Sequence, residues 1–171
     1  EALVRWNHPI KGLIPPNDFI PVAEQTGLIV PIGRWVMKEA CQQLKQWENA
    51  GYNNVTMAVN LSGRQFFDTD LVETVKETIE STGINPNNLE LEITEPVVLD
   101  NIEYSLDVIE QIKAFGVKFS LDDFGTGYSA MNYLRILPVN NLKIDKSFLD
   151  RLIENQSDQK IVSSIIMLAK N

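Results

Sequence analysis

Apolar residues recur along this chain with two alternating periods. From Pro31 to Ala50, Ile32, Trp35, Val36, Ala40, Leu44 and Trp47 fall at helical spacing, and Gly51 ends the run. Asp68 to Ser81 repeats the pattern with Leu71, Val72, Val75 and Ile79, and Gly83 lies beyond its end. Asn101 to Phe115 does so with Ile102, Leu106, Ile109, Ile112 and Phe115, and Ser157 to Lys170 with Ile161, Val162, Ile165, Ile166 and Leu168. Between these helices lie short segments of period two: Val55–Leu61, Leu89–Thr94, Val117–Asp122 and Asn141–Asp145. Ser129 to Arg135 reads as a further short helix. Strand and helix in alternation imply a parallel sheet.

Within each strand the two phases differ. Leu89, Leu91 and Ile93, Val117, Phe119 and Leu121, and Leu142 and Ile144 form an apolar phase. Glu90, Glu92 and Thr94, Lys118, Ser120 and Asp122, and Asn141, Lys143 and Asp145 form a polar one. A central strand of a doubly wound sheet is apolar on both sides. A barrel strand can turn its apolar phase out to the helices and its polar phase in toward a solvated mouth. The expectation is therefore an α/β fold of the TIM-like barrel type with its site at the mouth, against a flavodoxin-like open sheet as the alternative.

Composition narrows the function. The 171 residues carry a net charge of −8 and include no run of Lys or Arg, so no DNA or RNA groove is expected. The single cysteine, Cys41, cannot form an internal disulfide, which fits a reducing compartment. No apolar run reaches the ~18 residues of a spanning helix. The location expected is cytoplasmic, with a membrane anchor elsewhere in a longer parent left open.

The candidate chemistry is acidic. Asp122 and Asp123 stand side by side at the end of an apolar run and precede the turn Phe124-Gly125-Thr126-Gly127-Tyr128. Adjacent carboxylates are costly to bury without a cation or water. Asn60, Glu92 and Lys143 lie at or near other strand ends on the polar phase. Each alone has an ordinary reading as a turn residue, a surface acid or a solvated lysine. Together the oxygen donors are of the kind Mg²⁺ or Mn²⁺ takes, whereas zinc prefers His and Cys. His8, the only histidine, precedes a proline and is read as structural. Asp123-Phe124-Gly125 also occurs in protein kinases, but no His-Arg-Asp loop or glycine-rich phosphate loop accompanies it here. Ser62 and Ser129 have no histidine base to activate them.

Six segments in order give these residues a family context: Glu1-Ala2-Leu3-Val4-Arg5-Trp6; Asn17 to Glu24; Val59-Asn60-Leu61-Ser62-Gly63-Arg64-Gln65; Leu91-Glu92-Ile93-Thr94-Glu95; Leu121 to Tyr128; and Leu142-Lys143-Ile144-Asp145-Lys146-Ser147-Phe148. The chain resembles the EAL domain, the cyclic-di-GMP phosphodiesterase family of bacterial signalling. The separations agree with that family: 32 residues from Asn60 to Glu92, 30 to Asp122 and 21 to Lys143. The resemblance implies hydrolysis of cyclic di-GMP to the linear dinucleotide pGpG with two ions, Mg²⁺ or Mn²⁺. By position, Glu1, Asn60, Glu92 and Asp122 would hold one ion and Asp123 would help hold the second. Lys143 would orient the attacking water, and Arg5 would contact substrate phosphate. Glu95 would brace the loop after Asp123, through which a homodimer would form.

The resemblance also implies a piece of a domain, because a TIM barrel typically needs about 250 residues. Residues 1–171 correspond to strands two to six with their helices, without the first strand, the last two, and the later segment that carries a further catalytic glutamate and a glutamine near substrate. The expectation is that this chain alone is inactive while its parent, which could carry sensory or GGDEF-type domains, is a hydrolase. A cyclic-di-GMP receptor that binds without cutting, or an inert interaction module, are the alternatives.

Overall fold

The computed structural model describes residues 1–125, 134–150, 152–153 and 155–169. Four parallel strands form the sheet, in the order β3 (Met57–Asn60), β4 (Leu89–Thr94), β5 (Lys118–Phe124) and β6 (Asn141–Ile144). Ala2 adds a fifth rung beside β3: it bridges Val59, and its N–H donates to the Ala58 carbonyl at 2.8 Å. Spatial order therefore follows chain order from Ala2 to β6. A flavodoxin-like sheet reverses its strand order at a switch point. No reversal occurs among the described strands, and this is the arc of a barrel.

The apolar phase decides which face the helices cover. Leu89, Leu91, Ile93, Phe119 and Leu121 are fully buried. They pack beneath α2 (Ile29–Asn49), α4 (Leu71–Thr82) and α6 (Ile102–Lys113), which contribute Met37, Leu44, Val75, Ile109 and Ile112 to the same core. Burying a side chain such as Phe119 stabilises the fold by about 1.5–3 kcal/mol. The N-terminus of α6 is fixed by Asn101, whose side chain accepts the Tyr104 N–H at 3.2 Å. α2 lies close to the short helix α3 (Gly63–Phe66): a Cβ on Gly33 would stand 1.6 Å from the Gln65 amide nitrogen. Gln65 is held there by a capping box with Ser62.

β4 and the long helices lie within a few residues of where the periodicity sets them. The hairpin β1 (Trp6–His8) and β2 (Gly12–Ile14) and the helix α1 (Pro16–Thr26) are additions to that reading. Pro15, Pro16 and Pro21 disguise α1. Proline is well placed at the first helical position, but Pro21 interrupts the helix interior. Two short helices that follow strand ends, α5 (Glu95–Asp100) and α7 (Lys146–Asp150), are also additions, whereas α8 (Gln156–Ala169) was expected. The helix expected over Ser129–Arg135 falls mostly outside the described residues; Leu134 and Arg135 lie in a turn. No helix among the described residues is long and apolar enough to cross a membrane.

Candidate active site

Strand register sets the site. Asn60 pairs with Glu92, Glu92 with Ser120, and Ser120 with Asn141, so these four form one row across the polar face. One step further along, Thr94 pairs with Asp122. Lys143 leaves β6 and reaches back across β5. Its Nζ donates to Glu92 Oε2 at 2.8 Å and stands 3.8 Å from Asp122 Oδ2. At the other end of the row, Asn60 Nδ2 donates to Glu1 Oε1 at 2.8 Å. The structure thus places Glu1 beside Asn60 at one end of the row, and Glu92 and Asp122 beside Lys143 at the other.

Burial and charge act together on these groups. Glu92 is only 3 % exposed. Burial pushes its carboxyl above the ordinary glutamate value; the Lys143 hydrogen bond and charge oppose this, while Glu1 and Asp122 add to the rise. For Lys143, burial pulls downward, but the hydrogen bond to Glu92 and the charges of Glu92, Asp122 and Glu1 outweigh it. Its pKa is raised, and the group stays an ammonium.

Asp122 and Asp123 take different partners. The ladder between β5 and β6 shifts register between Leu121 and Phe124, and Asp123 adopts φ +53°, in the left-handed region. Neighbours in a regular strand point to opposite faces, so Asp123 would otherwise face the helices. The bulge re-aims it, and aspartate tolerates this backbone better than most residues. Asp122 goes to Lys143, while Asp123 hydrogen-bonds with Asp145. Burial, then Asp122 and Asp145, push the Asp123 carboxyl upward. Asp145 is shifted downward by its hydrogen bonds with the Ser147 side chain and backbone. Its involvement is an addition; the signal was its place on the polar phase, two residues after Lys143.

Glu95 opens α5 and is 1 % exposed. Its Oε2 accepts the Gly125 N–H at 3.3 Å, directly after the two aspartates. Gly125 has φ +103°, and a Cβ there would meet Phe148 at 3.0 Å, so the turn admits only glycine. Thr126 to Tyr128, the rest of the expected dimer loop, lie outside the described residues. Arg5 stands apart from the acids: its guanidinium donates to the Val4 carbonyl at 2.9 Å and lines a groove of about 460 Å³ with Trp6, Phe19 and Trp35.

Among the described residues, no three carboxylate, imidazole or thiolate side chains are close enough to enclose an ion. The acids fan out around the Lys143 ammonium instead. The donor chemistry nonetheless suits a hard cation. Every donor is oxygen, and Glu92 is held upward by burial and by neighbouring negative charge that a divalent ion would offset.

A parallel barrel arc with a polar, acid-rich row at the carboxyl ends of its strands defines a class: α/β-barrel domains that do their work at the mouth. Within that class the EAL domain matches residues 1–171, and the chain belongs to the EAL domain family. It is 46% identical over 170 residues to the bifunctional diguanylate cyclase/cyclic di-GMP phosphodiesterase MucR of Pseudomonas aeruginosa, covering 99% of this chain and 25% of that protein. It is 40% identical over 170 residues to the cyclic di-GMP phosphodiesterase NbdA of the same organism, covering 99% of this chain and 22% of that one. The chain therefore spans about a quarter of the length of these curated relatives. The solved structure of a MucR phosphodiesterase in complex with c-di-GMP superposes with a TM-score of 0.94 at 45% identity, covering 98% of this chain and 68% of that one. The barrel expectation holds: this is an α/β fold with a four-stranded parallel sheet that matches EAL domain structures.

Proposed function

We propose that this chain carries the catalytic face of a metal-dependent cyclic-di-GMP phosphodiesterase that yields linear pGpG. The observation that carries the reading is the Glu92–Lys143–Asp122 cluster at the strand ends, in a chain 46% identical to a protein named as a bifunctional diguanylate cyclase/cyclic di-GMP phosphodiesterase. Glu1, Asn60, Glu92 and Asp122 would hold one Mg²⁺ or Mn²⁺, and Asp123 a second. Such ions lower the pKa of water and stabilise the charge that builds on a phosphoryl group under attack.

The chain's own residues supply the rest. Lys143 remains an ammonium, so it orients the attacking water and offsets negative charge and is not a general base. In the reaction an oxygen–phosphorus bond forms to water, one bridging phosphodiester bond breaks, and the proton passes to the departing ribose oxygen. Glu92, deep in the site, fixes Lys143 in place. By its place in the family's opening segment, Arg5 would contact a substrate phosphate; here it lines a groove with Trp6 and Phe19. Glu95 anchors the backbone at Gly125, which supports a bracing role for the segment through which we place a dimer contact.

The test is hydrolysis of cyclic di-GMP with Mn²⁺ by this chain and by a version extended at both ends. The extended version is expected to turn over, and the chain alone to be at least about 100-fold slower because catalytic groups act as a unit. Comparable rates would overturn the view that residues 1–171 are a partial site. Tight binding without cleavage by the extended version would instead make the protein a receptor.

A further inference from the structure

Two side-chain pairs join β6 to β4 across β5. Lys143 Nζ donates to Glu92 Oε2 at 2.8 Å, and Asn141 Nδ2 donates to Glu90 Oε1 at 2.9 Å. Ser120 is in register with both Glu92 and Asn141, so it lies on β5 between the two diagonals. It is fully buried, and its Oγ has no hydrogen-bond partner among the described residues. The geometry around Ser120 gives a reason for a small residue at this place that does not depend on its hydroxyl. Strands in a sheet lie about 4.8 Å apart, so a side-chain pair joining β6 to β4 must bridge nearly 10 Å and meet over whatever β5 presents.

We propose that Ser120 is a positioning residue: its small side chain keeps open the passage through which Lys143 reaches Glu92. A larger side chain would fill the space that the Lys143 stem crosses, and the ammonium would swing away from Glu92 and Asp122. The kinetic consequence rests on the phosphodiesterase reading; the geometric consequence does not.

The test uses Ser120→Ala, Ser120→Val and Ser120→Leu in the full chain and in the extended version. The readouts are the melting temperature, the nitrogen-15 NMR signal of the Lys143 ammonium, and kcat and KM for cyclic di-GMP with Mn²⁺. Ser120→Ala keeps the passage open. It is expected to keep the Lys143 signal and kcat while melting no lower than the parent. Ser120→Leu is expected to lose the ion-paired signal and to lower kcat about 100-fold, with KM within about threefold. Ser120→Val, a residue suited to a strand, is expected to shift both in the same direction by less, and it carries the test where Ser120→Leu does not fold. The inference is overturned if the larger variants keep the Lys143 signal, or if Ser120→Ala loses as much as they do. If no protein in the series hydrolyses the substrate but the Lys143 signal still divides the variants by size, the phosphodiesterase reading fails while the role of Ser120 stands.

Discussion

The two faces of the β4–β5 pair come from the same residues taken alternately, yet they answer to different physics. On the helix side, Leu89, Leu91, Phe119 and Leu121 are fully buried and interchangeable in kind. Apolar contact has no direction, and any well-packed set would serve. On the mouth side, Glu92 is equally buried, but its carboxylate must meet one ammonium at one distance. The first face stores stability. The second gives up some stability to hold charge where water would otherwise have it. The lesson is that burial alone does not tell a core position from a site; the direction in which burial moves a charge does.

The comparison breaks most visibly if an outer position is emptied. Phe119→Ala is expected to cost about 3–5 kcal/mol, read by urea or thermal unfolding, and the same cost should appear with or without divalent ions. Glu92→Gln is the mirror experiment. It keeps the size and an acceptor for Lys143 but removes the charge, so turnover in the extended protein should fall by about 10²–10³ or more with no loss of melting temperature. A large fall in melting temperature would show that the charge helps the fold and would erase the contrast between the faces. Between the two faces in kind is Gly33→Ala, whose added Cβ would push the Gln65 amide out of its place beside Ser62. Overpacking of this sort costs about 1–3 kcal/mol, and it should leave kcat unchanged in any protein that remains folded.

The smallest effect is the sharpest in sign. The folded-state pKa of Glu92 lies above its ordinary value of 4.5. As pH rises past that value, the unfolded chain releases this proton before the folded chain does. Stability from this group therefore falls through the window between the ordinary and the raised value and is level above it. Stability curves of the parent and Glu92→Gln, measured between pH 4 and neutrality, should diverge in that window in favour of the variant. Parallel curves would mean that Lys143 fully compensates the burial. Cys41 provides a control on the helix side: burial pushes its thiol up to about 12, so thiol reagents near neutral pH should react only as the chain unfolds.

Much of this was readable from the chain. β4 has the bounds its alternation sets, and the phase split among Glu92, Asp122 and Lys143 was enough to place them on one face at the strand ends. The unread parts share a cause: tertiary contact overrode local pattern. α1 carries an interior proline that argues against a helix, yet it forms and packs against α2. The meeting of Lys143 with Glu92 depends on register among three strands, with the two residues more than fifty apart in the chain, which no local periodicity encodes. The separation of the two adjacent aspartates was also hidden. Their adjacency gives no hint of different partners, whereas one bulge gives each a different neighbour.

That bulge divides responsibility for the two acids. Asp122 is held by the body of the sheet, so it should outlast changes in the segment that follows it. Asp123 takes its aim from a single twisted backbone position, which glycine could occupy without strain. One inexpensive substitution could therefore remove the second carboxylate while Asp122, Glu92 and Lys143 stayed in place.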